Sequence, residues 1–225
     1  MRRASLVIWS VVLLAGCGSV AATAAAQATD AASRPAQLTG TQLAAALVPG
    51  PAFPRGYRYD NSASFNSGSH LETGRAKYKL TSLSCANFSN NYGRTGFGET
   101  AVAGNSYSTL VDNYTANSGG AYDQTVYQFA SADTARSFWS GLHSTIARCP
   151  SFGLGSVLGS FGSVTQRFFA AQIPGARAFG LNITATFKIV GQTMVMRVKV
   201  WIAVKGQDVF DVDAMGLVRQ QPFAI

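Results

Sequence analysis

Between Leu181 and Ala214, apolar and polar residues alternate almost one for one. Leu181, Ile183, Ala185, Phe187 and Ile189 interleave with Asn182, Thr184, Thr186 and Lys188. After Gly191-Gln192, Met194, Met196, Val198, Val200, Ile202 and Val204 interleave with Arg197, Lys199 and Trp201. Lys205-Gly206 interrupts the pattern again, and Val209 to Ala214 resumes it. Successive side chains of a strand point to opposite faces. Period two with short glycine turns therefore predicts an antiparallel meander, one face apolar and one wet. The apolar face needs a cover, and residues 131–149 supply one. There Ala135, Phe138, Trp139, Leu142 and Ile146 share one stripe of a 3.6-residue helix. Ser131 is its N-cap, Asp133 and Arg148 complement the helix dipole, and Pro150 prevents continuation. Cys149, three residues past Ile146, extends the stripe and is expected to point inward. The predicted class is α+β: an antiparallel sheet with helices packed on one face.

The upstream pattern is weaker. Residues 38–48 predict a short helix in which Leu43 and Leu47 share a face, Thr39 or Thr41 is the cap, and Pro49-Gly50 is the stop. Residues 49–76, rich in Pro, Asn, Ser and Gly, are expected to be irregular with one strand in RYDNSASFN. A strand-like piece leads into Cys85, and residues 86–98 read as a loop. Strands are expected over 99–103, 105–114 and 122–129, with Gly104-Asn105 splitting the first two. The four glycines of residues 151–163 predict a loop.

The first nineteen residues set the compartment. Arg2 and Arg3 precede twelve uncharged residues, Ala4 to Ala15, too few to cross a bilayer as a helix, which takes about 20. They read as an export signal. Leu14-Ala15-Gly16-Cys17 looks like a bacterial lipobox, which implies a signal peptide over 1–16 and a diacylglyceryl lipid, palmitate included, on Cys17. Residues 17–36 are mostly Ala, Ser, Thr and Gly and read as a tether. Residues 37–225 then form one domain. The net charge of +8 falls to +6 once Arg2 and Arg3 leave with the signal. A basic protein at a membrane surface is drawn to anionic headgroups and wall polymers. The basic residues are scattered rather than clustered in runs, and the address is extracytoplasmic, so nucleic acid is not an expected partner.

With Cys17 lipidated, Cys85 and Cys149 remain as an even pair in an oxidising compartment, the arithmetic of one disulfide. A metal site is the alternative, for which His70 and His143 offer no ligand spacing. No catalytic motif stands out and no cofactor or metal is implied. The run Thr95-Gly96-Phe97-Gly98-Glu99 lacks the third glycine and the lysine of phosphate-binding loops. Asp211 and Asp213, two apart on a strand, share a face and are expected to form surface ion pairs near Arg197 or Lys199. His143 is expected to be solvated. Phe88, Tyr92, Phe97, Tyr107, Tyr114 and Tyr122 lie among amides and hydroxyls, a composition that suits sugar stacking and equally suits covering a sheet.

Several features in order resemble the PknH-like extracellular sensor domain of actinobacterial receptor kinases and free lipoproteins: LTGTQLAAAL after the tether, a cysteine in LSC, then VYQFASADTARSFWSGLHSTIARC and a final β-meander. The resemblance covers roughly residues 38–218. It implies an antiparallel sheet with helices against it and a ligand-binding cleft, with Cys85 and Cys149 in the helix-linking disulfide. A second disulfide of many members has no counterpart here. The expected function is a lipid-anchored, extracytoplasmic, non-enzymatic sensor or ligand-binding domain on the outer face of the cell membrane. Its ligand would be an envelope small molecule, lipid or glycan, met by Arg197, Lys199 and Trp201 on the wet face of the meander. The alternative is an adaptor lipoprotein that binds a membrane protein.

Overall fold

A computed structural model describes residues 36–85, 87, 96–109, 118–157, 160–189 and 192–219. The expected signal segment, Cys17 and the expected tether up to residue 35 lie outside them, as do Phe88, Tyr92 and Tyr114. The described strands are β1 (Arg58–Tyr59), β2 (Phe65–Asn66), β3 (Ala101–Ser108), β4 (Ser118–Gln128), β5 (Ser151–Val157), β6 (Ser160–Phe169), β7 (Arg177–Ile189), β8 (Gln192–Lys205) and β9 (Asp208–Arg219). All pair antiparallel in one sheet, in the order β1-β3-β4-β9-β8-β7-β6-β5, with β2 also on β3. Helix α1 is Gly40–Ala46 and α2 is Ala132–Arg148. The α+β class, the antiparallel meander and the single disulfide are as the sequence reads.

The meander is set by its turns. Gly206, at φ +59°, and Gln207 link β8 to β9, putting Lys205 opposite Asp208 and every later pair in step, through Val200↔Asp213 to Met194↔Arg219. Three sequence expectations change. Residues 151–163 are largely strand, because β5 lies at the sheet edge, where glycines cost packing on one side only. The piece before Cys85 is a 3₁₀ turn, Leu80–Ser82, rather than a strand. Gly104 does not split a strand either: it sits inside β3, where the Phe65 ring occupies the place of its missing side chain.

Each helix is held to the sheet by named polar groups as well as by apolar burial. In α2, the Ser131 hydroxyl accepts from the Thr134 N–H, Asp133 and Arg136 form a surface ion pair, and Ala135, Phe138, Leu142 and Ile146 are buried. They pack with Val102, Tyr127, Phe179, Leu181, Val200, Ile202 and Val209. The helix C-terminus would leave carbonyls unpaired, and the buried Gln166 of β6 donates to the Cys149 carbonyl at 2.6 Å. Cys149 is buried and bonded to Cys85, with a Cα separation of 5.6 Å. Helix α1 has a full capping box between Thr39 and Gln42. Leu43 and Leu47 pack on Ala101, Ala103 and Val126, which alternate with Val102 and Tyr127. The two helices therefore divide between the faces of the sheet, α2 inside and α1 outside. Gln128 accepts from the Leu38 N–H at 2.7 Å, and Gln124 exchanges two hydrogen bonds with the Val48 backbone at 3.1 and 2.9 Å. These two β4 glutamines, four apart on one face, pin both ends of the α1 segment.

Candidate functional site

The outer face of β6 to β9 carries the basic and aromatic side chains. Cross-strand pairing aligns Phe169, Gly180, Trp201 and Val212 in one row, and Arg167, Asn182, Lys199 and Ala214 in the next. Arg197 follows one row on, opposite Thr184 and Gly216. Gly180 makes room for its neighbour: a Cβ there would lie 2.1 Å from Phe169 Cζ, so the Phe169 ring folds over the glycine. Phe169 and Trp201 meet edge to face, their centroids 6.0 Å apart. The Lys199 ammonium stands 4.9 Å from the first ring and 5.2 Å from the second. Each such cation–π contact contributes about 0.5–1 kcal/mol at an exposed site. Arg167, Arg197 and Lys199 are exposed and Trp201 is half-buried. Phe210 and Val212 continue the same face, 37% and 42% exposed. The three residues singled out from alternation thus share one face, and Phe169 and Arg167, which alternation in β8 could not reveal, join them through strand pairing.

The chain matches no protein-family model and no curated protein. Among solved structures it is similar to the extracellular domain of PknH from Mycobacterium tuberculosis. That similarity has a TM-score of 0.42 and 16% identity, and it covers 74% of this chain and 77% of that one. No fold assignment, function or residue role is carried over from it. The disulfide, by contrast, is a property of this chain and points to an oxidising, extracytoplasmic compartment.

The inner face holds an acidic cluster where the sequence predicted surface ion pairs. Asp211 pairs with Ile202 and Thr125, and Asp213 with Val200 and Asp123. Both therefore face inward with Ile202 and Val200, away from Arg197 and Lys199. Asp211 is 7% exposed. Burial, then the neighbouring carboxylates of Asp211 and Asp123, push Asp213 up to about 8, so it holds a proton at neutral pH. A cavity of about 230 Å³ lies against the cluster, lined also by Ala63, Phe65, Gly104 and Thr125 and by no basic side chain. Among the described residues there is no group of His, Cys, Asp or Glu side chains that could hold a metal ion. The signal that would have placed the aspartates correctly was the Gly206 turn, since its register carries the inward phase of Val204 into Val209, Asp211 and Asp213.

The other candidates resolve individually. The glycine-rich run does form an anion cradle, but the chain fills it itself: the buried Glu99 carboxylate accepts from the Gly96 and Phe97 N–H groups at 2.5 and 2.8 Å. Gly96 and Gly98, at φ +116° and +93°, supply the backbone turn this requires. His143 is not solvated as expected. It lies one turn from Trp139 and packs on Phe168 and Phe179, at 4.5 and 5.0 Å between ring centres. Phe97 belongs to the core cluster around α2, and Tyr107 stacks on Phe53 at 4.4 Å, so these two rings cover the sheet.

Proposed function

We propose that the protein is a lipid-anchored, extracytoplasmic ligand-binding module of sensor type. It is tethered through Cys17, is not an enzyme, and presents the outer face of its meander to an anionic envelope component. The observation that supports this best is the exposed group of Arg167, Arg197 and Lys199 on one face with Phe169 and Trp201. Exposed cations recognise phosphate and carboxylate, and flat rings beside them bind the apolar or sugar part of the same molecule. Among the described acids of β9, Asp211 and Asp213 face inward, and Asp208, on the outer face, lies at the far end of the strand and accepts from Gln128.

The test uses the full chain carrying Cys17→Ser, which removes the lipid so that membrane binding reports on the protein face. It should bind phosphatidylglycerol vesicles and not phosphatidylcholine vesicles, more weakly as salt rises. Arg197→Ala/Lys199→Ala should abolish the difference. Equal binding of the parent and the double variant would refute the assignment. The exposed Phe210 and Val212 beside Trp201 favour a second reading, an adaptor that docks a membrane protein on this face. That reading predicts one crosslinked partner in cells, lost on Val212→Lys, together with unchanged vesicle binding.

A further inference from the structure

A different part of the molecule carries an uncharged cavity. Helix α1 packs on the outer face of β3 at Ala101 and Ala103, and beyond them Phe53 and, from β1, Tyr59 pack against Tyr107. Between the α1 segment and Tyr59 lies the cavity, of about 380 Å³, within the range of small-molecule sites, about 300–1,000 Å³. On a chain of net charge +8, no Asp, Glu, Lys, Arg or His lines it. Its polar side chains are neutral, among them the amides of Asn61, Asn66 and Asn105 and the hydroxyls of Tyr59 and Ser64. Its apolar wall is the Tyr59 ring, 51% exposed and set edge-on against the buried Tyr107 at 5.6 Å, with Leu47 of the α1 segment opposite.

One polar atom in this wall is unsatisfied. Asn105 Oδ1 is buried and has no hydrogen-bond partner among the described residues. Its cross-strand neighbour Gln124 cannot supply one, because that amide is committed to the Val48 backbone. A buried acceptor without a donor is destabilising, and a donor brought to it removes the penalty. Asn105 itself lines the cavity. An exposed ring held in place, amides that donate and accept, and an absence of charge select for a ligand with many hydroxyls and C–H faces and no net charge.

We propose that the cavity between α1 and the β1–β3 edge binds a neutral saccharide, stacked on Tyr59 and hydrogen-bonded by Asn61, Asn66 and Asn105. The site is separate from the basic outer face of β6 to β9 and does not depend on that assignment. The probes are cellohexaose, mannohexaose and chitohexaose, titrated into ¹⁵N-labelled full chain. At least one should shift the side-chain amide signals of the three asparagines saturably. Tyr59→Phe should keep the affinity, and Tyr59→Ala should weaken it about tenfold or more, the effect of ~1.4 kcal/mol. Because Tyr59 is half exposed, Tyr59→Ala should melt close to the parent. Asn61→Ala, at an exposed position, gives an independent loss of affinity should Tyr59→Ala disturb the fold. Lys199→Ala should leave saccharide binding unchanged. The proposal is overturned if none of the three hexasaccharides moves those signals, or if Tyr59→Ala and Asn61→Ala both bind as the parent does.

Discussion

Replacing Asp213 by asparagine should flatten the dependence of stability on pH, and the structure fixes the sign. In the unfolded chain Asp213 ionises near 3.8; in the folded protein burial and the carboxylates of Asp211 and Asp123 hold its proton until about pH 8. Below pH 4 both states carry the proton, and the stability is fully present. Between pH 4 and 8 the folded state binds more protons than the unfolded one, so stability falls as pH rises, at up to about 1.36 kcal/mol per pH unit. Above pH 8 both states are ionised and the curve levels off. Summed over that window the loss reaches about 6 kcal/mol at most. Asparagine keeps the shape and carries no charge to desolvate, and its amide donates to a neighbouring carboxylate. Urea unfolding of parent and Asp213→Asn at pH 4, 6 and 9, read by tryptophan fluorescence, gives the comparison. The two should agree within about 1 kcal/mol at pH 4, with the variant the more stable by several kcal/mol at pH 9. Taking the difference between the curves cancels titrating groups that do not interact with Asp213, such as Asp208, which burial also raises. Parallel curves across the range would refute the account.

Three further outcomes follow from the packing. Cys149→Ser opens a covalent loop that joins residues 64 apart and should cost about 4 kcal/mol in urea unfolding; a loss below about 1 kcal/mol would show that the crosslink does not constrain the unfolded chain. Gly180→Val places side-chain atoms where the Phe169 ring lies, so it should cost about 1–3 kcal/mol, change Trp201 fluorescence, and weaken vesicle binding along with Lys199→Ala. Gln124→Leu removes both hydrogen bonds to the Val48 backbone at about 1–3 kcal/mol. It should also speed hydrogen exchange of the Leu43 amide inside α1 while leaving the α2 amides protected.

The sequence by itself determined what depends on neighbours in the chain. Alternation over residues 181–204 decided the meander strands, because period two is a property of the strand backbone alone. Ser131, Asp133, Arg148 and Pro150 decided where α2 begins and ends, because capping and dipole effects act within one turn. Two cysteines left after Cys17 decided their own pairing. What depends on the partner strand was decided only by the tertiary structure. Phe210, Val212 and Ala214 are as apolar as any inward row, yet the register of the Gly206 turn sends them out and turns Asp211 and Asp213 in. Glycines that locally favour a loop became strand in β5 and β6 once neighbouring strands satisfied their backbone groups. The aromatic partner of Lys199 on β6, the self-filled cradle around Glu99 and the uncharged cavity beside Tyr59 all join residues far apart in sequence. Their meeting is fixed by strand order and packing, which local pattern does not encode.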